Sequence, residues 1–170
     1  MKQHRILVVE DEADVRKVIK LTLSRDPELT VRTCACGQAG LAEAASWAPD
    51  LILLDVMMPE MDGLTTLAHL RENPATAPIP VVFLTARARH AELAHFISLG
   101  ARGAIAKPFV PKELRAAIKG HLQGACHVFG HAWALVRPDS YVAATGESVD
   151  ATLVHAVGKA LGTALEEEPA

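Results

Sequence analysis

The sequence predicts an α/β fold: a doubly wound, five-stranded parallel sheet with helices on both faces, followed by a short C-terminal β-hairpin and helix. Three observations carry this. Short, continuous apolar runs recur five times before residue 107, the signature of strands buried on both faces of a parallel sheet. Segments of helical periodicity fill the gaps between them. From about Gly124 that rhythm stops, and glycines, strand-like runs and a Pro138-Asp139-Ser140 turn take its place. Strand–helix alternation repeated in this way means a parallel sheet with helices on both sides, and right-handed crossovers leave few topologies for it.

The strands are expected at residues 5–10, 29–34, 51–55 and 79–84, with a weaker one at 103–106. Helical stripes lie between and after them. Val15, Val18 and Ile19 mark the first, Leu41, Ala44 and Ala45 the second, and Leu64, Leu67 and Ala68 the third. Leu93, Phe96, Ile97 and Gly100 give a fourth, and Leu114, Ala117 and Ile118 a fifth, with Pro111 suited to its first helical position. Residues 4–122 thus form one domain, 123–130 a linker, and 131–165 a small β-β-α tail. In the tail, residues 131–137 and 141–145 read as strands. Ser148 would cap a helix bearing Val149, Leu153, Val157 and Leu161, with Gly162 as its stop. So small a unit buries little surface alone. It should therefore dock on the larger domain or on a partner, and its strand edges invite a second copy of the chain, a homodimer.

Composition narrows the function. Half of the 170 residues are hydrophobic, 22% are charged and the net charge is -3, a globular balance that is neither disordered nor membrane-like. No apolar run approaches the ~20 residues that span a bilayer, and the N-terminus lacks a secretory pattern, so a cytoplasmic location is expected. No Lys/Arg run supplies the electrostatic footprint of a nucleic-acid binder. The three cysteines are an odd count; Cys34 and Cys36, at the end of a strand, suit small buried apolar positions. His121, Cys126, His127 and His131 could be read as a zinc cluster, but they match no tight ligand spacing.

Ligands of open α/β sheets collect at the carboxyl ends of the strands. Here those ends carry Glu10 and Asp11, then Asp55, Thr85, and Lys107 before Pro108. Taken singly, each residue has a bland reading: a turn or cap for an Asp, a strand residue for Thr85, a solvated charge for Lys107. Together they place three carboxylates, a hydroxyl and an amine on one rim. Carboxylates that crowd repel by about 4 kcal/mol per pair at ~4 Å and an effective dielectric near 20. A hard divalent cation relieves that repulsion, and oxygen ligands with room for water suit Mg²⁺. A carboxylate can also act as a nucleophile toward phosphorus, while a cation, a lysine and a hydroxyl hold the transferring oxygens.

Residues 4–122 resemble the receiver domain of two-component response regulators. The resemblance rests on Val-Val-Glu10-Asp11-Glu, Leu-Leu-Asp55-Val-Met-Met-Pro59-Glu-Met-Asp-Gly63, Phe-Leu-Thr85-Ala86 and Ile-Ala-Lys107-Pro108-Phe109. It implies a flavodoxin-like receiver fold and Asp55 as phosphoacceptor. It also implies Mg²⁺ held by Glu10, Asp11, Asp55 and the backbone carbonyl of Met57, with Thr85 bonding the phosphoryl group and Lys107 pairing with it. Pro59 and Gly63 would shape the loop after Asp55, and the Lys107–Pro108 bond would be cis. The implied partners are a sensor histidine kinase or a histidine phosphotransfer protein upstream and a protein target downstream. The chain would then be a switch and not an enzyme with an external substrate. Two positions depart from the family pattern: Ala104 stands where an aromatic gate is common, and Val110 where an Asp often caps the last helix.

The segment from Ala134 to Ala143 is similar to a stretch in the C-terminal thioredoxin-like domain of flavin-dependent aromatic hydroxylases. No Gly-x-Gly-x-x-Gly fingerprint accompanies it, so no flavin is implied. Two rival readings fare worse. A phosphohydrolase of the haloacid dehalogenase type needs a second Asp where Met57 stands. A DNA-binding output domain would have to fit between Gly124 and Ala170 without a basic helix.

Overall fold

The apolar runs form β1 (His4–Val9), β2 (Leu29–Cys34), β3 (Leu51–Asp55), β4 (Val81–Thr85) and β5 (Gly103–Ala106). They are joined and followed by helices α1 (Ala13–Leu23), α2 (Gly37–Trp47), α3 (Gly63–Glu72), α4 (His90–Ser98) and α5 (Pro111–Gln123). The computed structural model describes residues 3–86, 90–123, 127–129, 132–136 and 142–146. All five strands are parallel, in the order β2-β1-β3-β4-β5. The chain therefore steps outward from β1 in one direction and then returns across it to the other side. Helices leaving β1 and β3 consequently pass to opposite faces, and a crevice opens at the carboxyl ends of these two strands.

The continuous apolar runs are explained by what covers them. Every residue of β3 and β4 is buried, with Leu53, Leu54, Val82, Phe83 and Leu84 fully so. The Phe83 ring meets Phe96 of α4 with centroids 4.8 Å apart, which locks α4 to the sheet. Opposite Phe83 in the β4–β5 register lies Ala104, fully buried.

Several details depart from the sequence reading. The fourth strand begins at Val81 and not at residue 79, because Ile79 closes a turn through its amide to the Thr76 carbonyl (3.0 Å) and Pro80 has no N–H to give. Val18, Ala45 and Ala68 are exposed. In α1 the core face is set by Ile19, Thr22 and Leu23, and Val18 falls beside that stripe. Gly100 lies past the end of α4 with φ 96°, a left-handed termination that glycine adopts without strain. The last helix starts at Pro111 as expected, and the Val110 carbonyl accepts the Leu114 amide at 3.0 Å.

The expected hairpin is present, and it has a third strand. The strands β6 (His127–Phe129), β7 (Ala132–Val136) and β8 (Val142–Gly146) form an antiparallel sheet in that order. β6 falls in the stretch read as a linker; three residues between glycines are too short for alternation to declare a strand. β6 packs beside β5 and α5, and β8 beside α4. The helix expected after Ser148 and the acidic end lie outside the described residues.

The open end of α5 is tied to the start of β2. Lys119 Nζ lies 2.8 Å from Asp26 Oδ2 and 3.0 Å from Glu28 Oε2. The hydrogen bond from Lys119, helped by the Glu28 amide, holds the Asp26 carboxyl below its ordinary value. Its folded pKa is thus depressed, so its stabilisation is present above the unfolded value of about 3.9 and is lost as pH falls through the folded one. Asp26→Asn should melt below the wild type at neutral pH, and the two melting temperatures should converge on acidification below about pH 4. Melting curves across pH check this.

Candidate functional site

Each candidate residue stands at a strand end. Glu10 follows β1, and its amide continues the sheet to the Cys34 carbonyl (3.1 Å). Asp55 ends β3, Thr85 ends β4, and Lys107 follows β5, with its amide bonded to the Thr85 carbonyl at 2.7 Å. Because β1 and β3 are neighbours, Glu10 and Asp55 are brought side by side. Glu10 is fully buried and Asp55 is 3% exposed; Asp11 is more open. One ligand oxygen from each of the three lies within 4.8 Å of the others.

Lys107 bridges the two buried carboxylates. Its Nζ is 3.0 Å from Glu10 Oε2 and 3.0 Å from Asp55 Oδ1. Burial pushes the Glu10 carboxyl above its ordinary range, with Asp55 adding to this, and the Lys107 hydrogen bond opposes it. Asp55 is likewise raised by burial, against the pull of Lys107 and the Met57 amide. Burial alone would lower Lys107; its bonds to Asp55 and Glu10 outweigh that and raise it. The site therefore holds more negative charge than one lysine offsets. Three hard oxygen donors with surplus charge fit a divalent cation of the Mg²⁺ kind, and they are the one group of three among the described residues placed to hold a metal. Met57, the fourth expected contributor, follows two residues after Asp55 and is 77% exposed.

The loop after Asp55 is shaped by local constraints. The Gly63 amide bonds the Val56 carbonyl at 2.9 Å, and a Cβ on Gly63 would run into the Asp55 carbonyl oxygen, so only glycine allows this approach. Glu60 takes the left-handed conformation with φ 64°. Asp62 caps α3, its Oδ1 accepting the Thr65 amide at 2.7 Å. On the other side, Arg16 Nη1 donates to the carbonyls of Glu10 (2.6 Å) and Asp11 (2.9 Å), which fixes the backbone from which both acids project. The Lys107–Pro108 bond is cis. Beside Lys107 an open groove of about 590 Å³ is lined by Val15, Val18, Ala86, Pro108 and Phe109 among others.

Sequence reasoning named Glu10, Asp11, Asp55, Thr85 and Lys107, and the fold brings all five to this rim. It missed Arg16, which sits in a helix with no local signal that it turns back to the strand end. It also gave Asp62 no part as a cap, although an Asp just ahead of a helix is the usual sign of one. Of the residues weighed as zinc ligands, His121 is buried in α5, while Cys126 and His131 lie outside the described residues. No helix among the described residues is long and apolar enough to cross a membrane.

Comparison with known proteins accords with this geometry. The family model of the response regulator receiver domain matches residues 6–119. The phosphate regulon transcriptional regulatory protein PhoB of Escherichia coli is 42% identical over 115 residues, 68% of this chain and 50% of PhoB. The transcriptional regulatory protein ResD of Bacillus subtilis is 35% identical over 121 residues, 71% of this chain and 49% of ResD. The chain thus spans about half the length of the curated relatives it matches. Among solved structures, the chemotaxis protein CheY4 of Vibrio cholerae superposes with a TM-score of 0.65 at 28% identity, covering 69% of this chain and 97% of that one. The N-terminal domain of a response regulator receiver protein from Methanoculleus marisnigri gives 0.58 at 36% identity, covering 69% and 94%.

The cap on α3 is separable from the acidic cluster. Asp62→Ala should cost about 1 kcal/mol of stability in denaturant unfolding, by leaving the Thr65 amide without its acceptor.

Proposed function

This chain belongs to the response regulator receiver domain family, and we propose that within it Asp55 accepts a phosphoryl group and so switches protein–protein contacts. The observation that carries the reading is the buried Glu10–Lys107–Asp55 bridge, with Asp11 beside it, at the carboxyl edge of the sheet. Glu10, Asp11, Asp55 and the Met57 carbonyl would hold Mg²⁺, which when bound offsets the charge on the transferring phosphoryl oxygens.

The residues of the chain do the rest. An Asp55 oxygen attacks phosphorus in line; a P–O bond forms as the bond from phosphorus to the donor breaks. For a phosphohistidine donor that leaving atom is an imidazole nitrogen, so the fitting partner is a histidine kinase or a histidine phosphotransfer protein. Lys107, already 3.0 Å from Asp55, follows the charge from the carboxylate to the phosphoryl oxygens, and the Thr85 hydroxyl donates to another.

The readout does not use an aromatic at 104. A hydrogen bond that Thr85 makes only in the phosphorylated state biases the end of β4, and from β4 the Phe83–Phe96 ring contact leads to α4. Met57 in place of a second acid leaves no general acid for a phosphomonoester leaving group, so turnover is limited to loss of the chain's own phosphoryl group. PhoB and ResD are named as transcriptional regulators, but the matched portion of each is about half its length, and we assign the receiver no contact with DNA. A cytoplasmic location goes with such a donor.

Intact mass spectrometry after treatment with acetyl phosphate and Mg²⁺ tests the assignment: one phosphoryl adduct in the wild type and none in Asp55→Asn. An adduct of wild-type stoichiometry in that variant overturns it. Asp11→Ala, which leaves no core cavity, should weaken Mg²⁺ binding at least tenfold. In metal-free buffer it should gain roughly 1 kcal/mol of stability by relief of like-charge repulsion, read from melting curves with and without Mg²⁺.

A further inference from the structure

Cys34 closes β2 and Cys36 forms the N-cap of α2, on the rim that carries the acidic cluster but outside it. The sequence suggests small buried apolar positions for both; instead both are free thiols of intermediate exposure, neither sealed in the core nor fully in water. We propose that Cys34 and Cys36 are a reversible redox pair that a peroxide closes into a disulfide, and that closing it loosens the acidic cluster.

One residue separates the two thiols, at the junction of β2 and α2. Cys36 has extended backbone, φ −155° and ψ 163°, and follows Cys34 across a bend at 35–36. Ala35 between them is exposed. Arg32, on the same face of β2 as Cys34, binds Glu43 of α2 at 2.6 Å, which puts that face toward the helix that Cys36 begins. Glu43 and Cys36 are also among the groups that act on the Cys34 thiol. The Cys36 side chain makes no capping bond to the α2 amides. Two residues of extended chain span about 6.6 Å, at the upper end of the Cα separations that a disulfide bridges, and the bend at 35–36 shortens that distance. A bridge of this kind closes under strain, and strained disulfides are the readily reduced, regulatory ones.

In the reaction one thiol attacks the peroxide; its O–O bond breaks, giving a sulfenic acid and one water. The second thiol displaces the sulfenic hydroxyl, forming the S–S bond and a second water. Two thiols are oxidised and one peroxide is reduced, and a dithiol reverses the change. The link to the site is a backbone bond: the Cys34 carbonyl accepts the Glu10 amide at 3.1 Å. Tightening the chain at 34–36 moves that carbonyl, and with it the residue that supplies a buried carboxylate to the cluster. This coupling rests on the assignment of Glu10 to a cation site; formation of the disulfide does not.

The test uses the full chain carrying Cys126→Ser, so that only this pair reports. After hydrogen peroxide, an alkylating reagent should label neither thiol, peptide mapping should find the Cys34–Cys36 bridge, and dithiothreitol should restore both labels. Cys34→Ser and Cys36→Ser should each abolish the bridge. Calorimetric titration of the metal alone should show Mg²⁺ binding weakened at least threefold in the oxidised protein and restored on reduction. Two thiols that stay alkylatable, or that end as separate sulfinic acids, overturn the pair. A bridge that forms while Mg²⁺ affinity is unchanged overturns the coupling. Reduced protein that binds no Mg²⁺ counts against the cation site itself, and the thiol count then still decides the pair.

Discussion

The bridge from Lys107 to Glu10 and Asp55 is the constraint on which the rest of the molecule turns. Two carboxylates taken out of water at the edge of a sheet repel by several kcal/mol, and burial penalises each one separately. One lysine at 3.0 Å from both makes the arrangement tolerable without neutralising it. The topology forces the residues together, since β1 and β3 are neighbours and their continuations carry the acids. The strands, in turn, are held in register by an apolar core with no polar side chain between Ile6 and Val9 or between Leu51 and Leu54. A rigid core thus supports a rim where three carboxylates share one lysine, so an added cation or a transferred anion changes the charge balance there.

The surrounding contacts serve mainly to keep that rim in place. Arg16 fixes the backbone of Glu10 and Asp11, while Gly63 lets α3 begin against the Asp55 carbonyl. Farther out, Arg71 gathers the carbonyls of Ala77, Ile79 and Gly100 at 2.8 to 3.0 Å. It thereby pins the turn after α4 to the approach of β4. The far end of α4 is held in this way, and Phe96 is packed on Phe83, so packed groups connect β4 to α4. With alanine at 104 there is no ring at that position to rotate.

The strands and the acidic rim are legible in the sequence because both depend on features a single chain displays. Buried parallel strands must be continuous in apolar character, and a site at their carboxyl ends must show its residues at or just after the ends of those runs, as Glu10, Asp55 and Lys107 do. What is not legible depends on partners distant in sequence. Arg16 looks like any exposed helical arginine until α1 is folded onto β1. Val18 fits the helical stripe yet faces outward, because the azimuth of α1 is decided by Ile19 and Leu23 reaching the sheet. Pro80 shifts the start of β4, a local effect that apolar counting overlooks. The three residues of β6 become a strand only through pairing with β7, which no short-range pattern announces. Cys34 and Cys36 escape a correct reading for the same reason: a strand end reads as core, and whether a helix covers it fully is a tertiary matter.

The most direct test of the phosphoacceptor assignment is chemical trapping at the acyl phosphate. Protein treated with acetyl phosphate and Mg²⁺ is reduced with borohydride, which converts an aspartyl phosphate to homoserine, and the product is mapped by peptide sequencing. Homoserine is expected at position 55, dependent on Mg²⁺ and on the donor, with the other aspartates unchanged. Homoserine at another aspartate, or phosphate retained in a form that borohydride does not reduce, would contradict it.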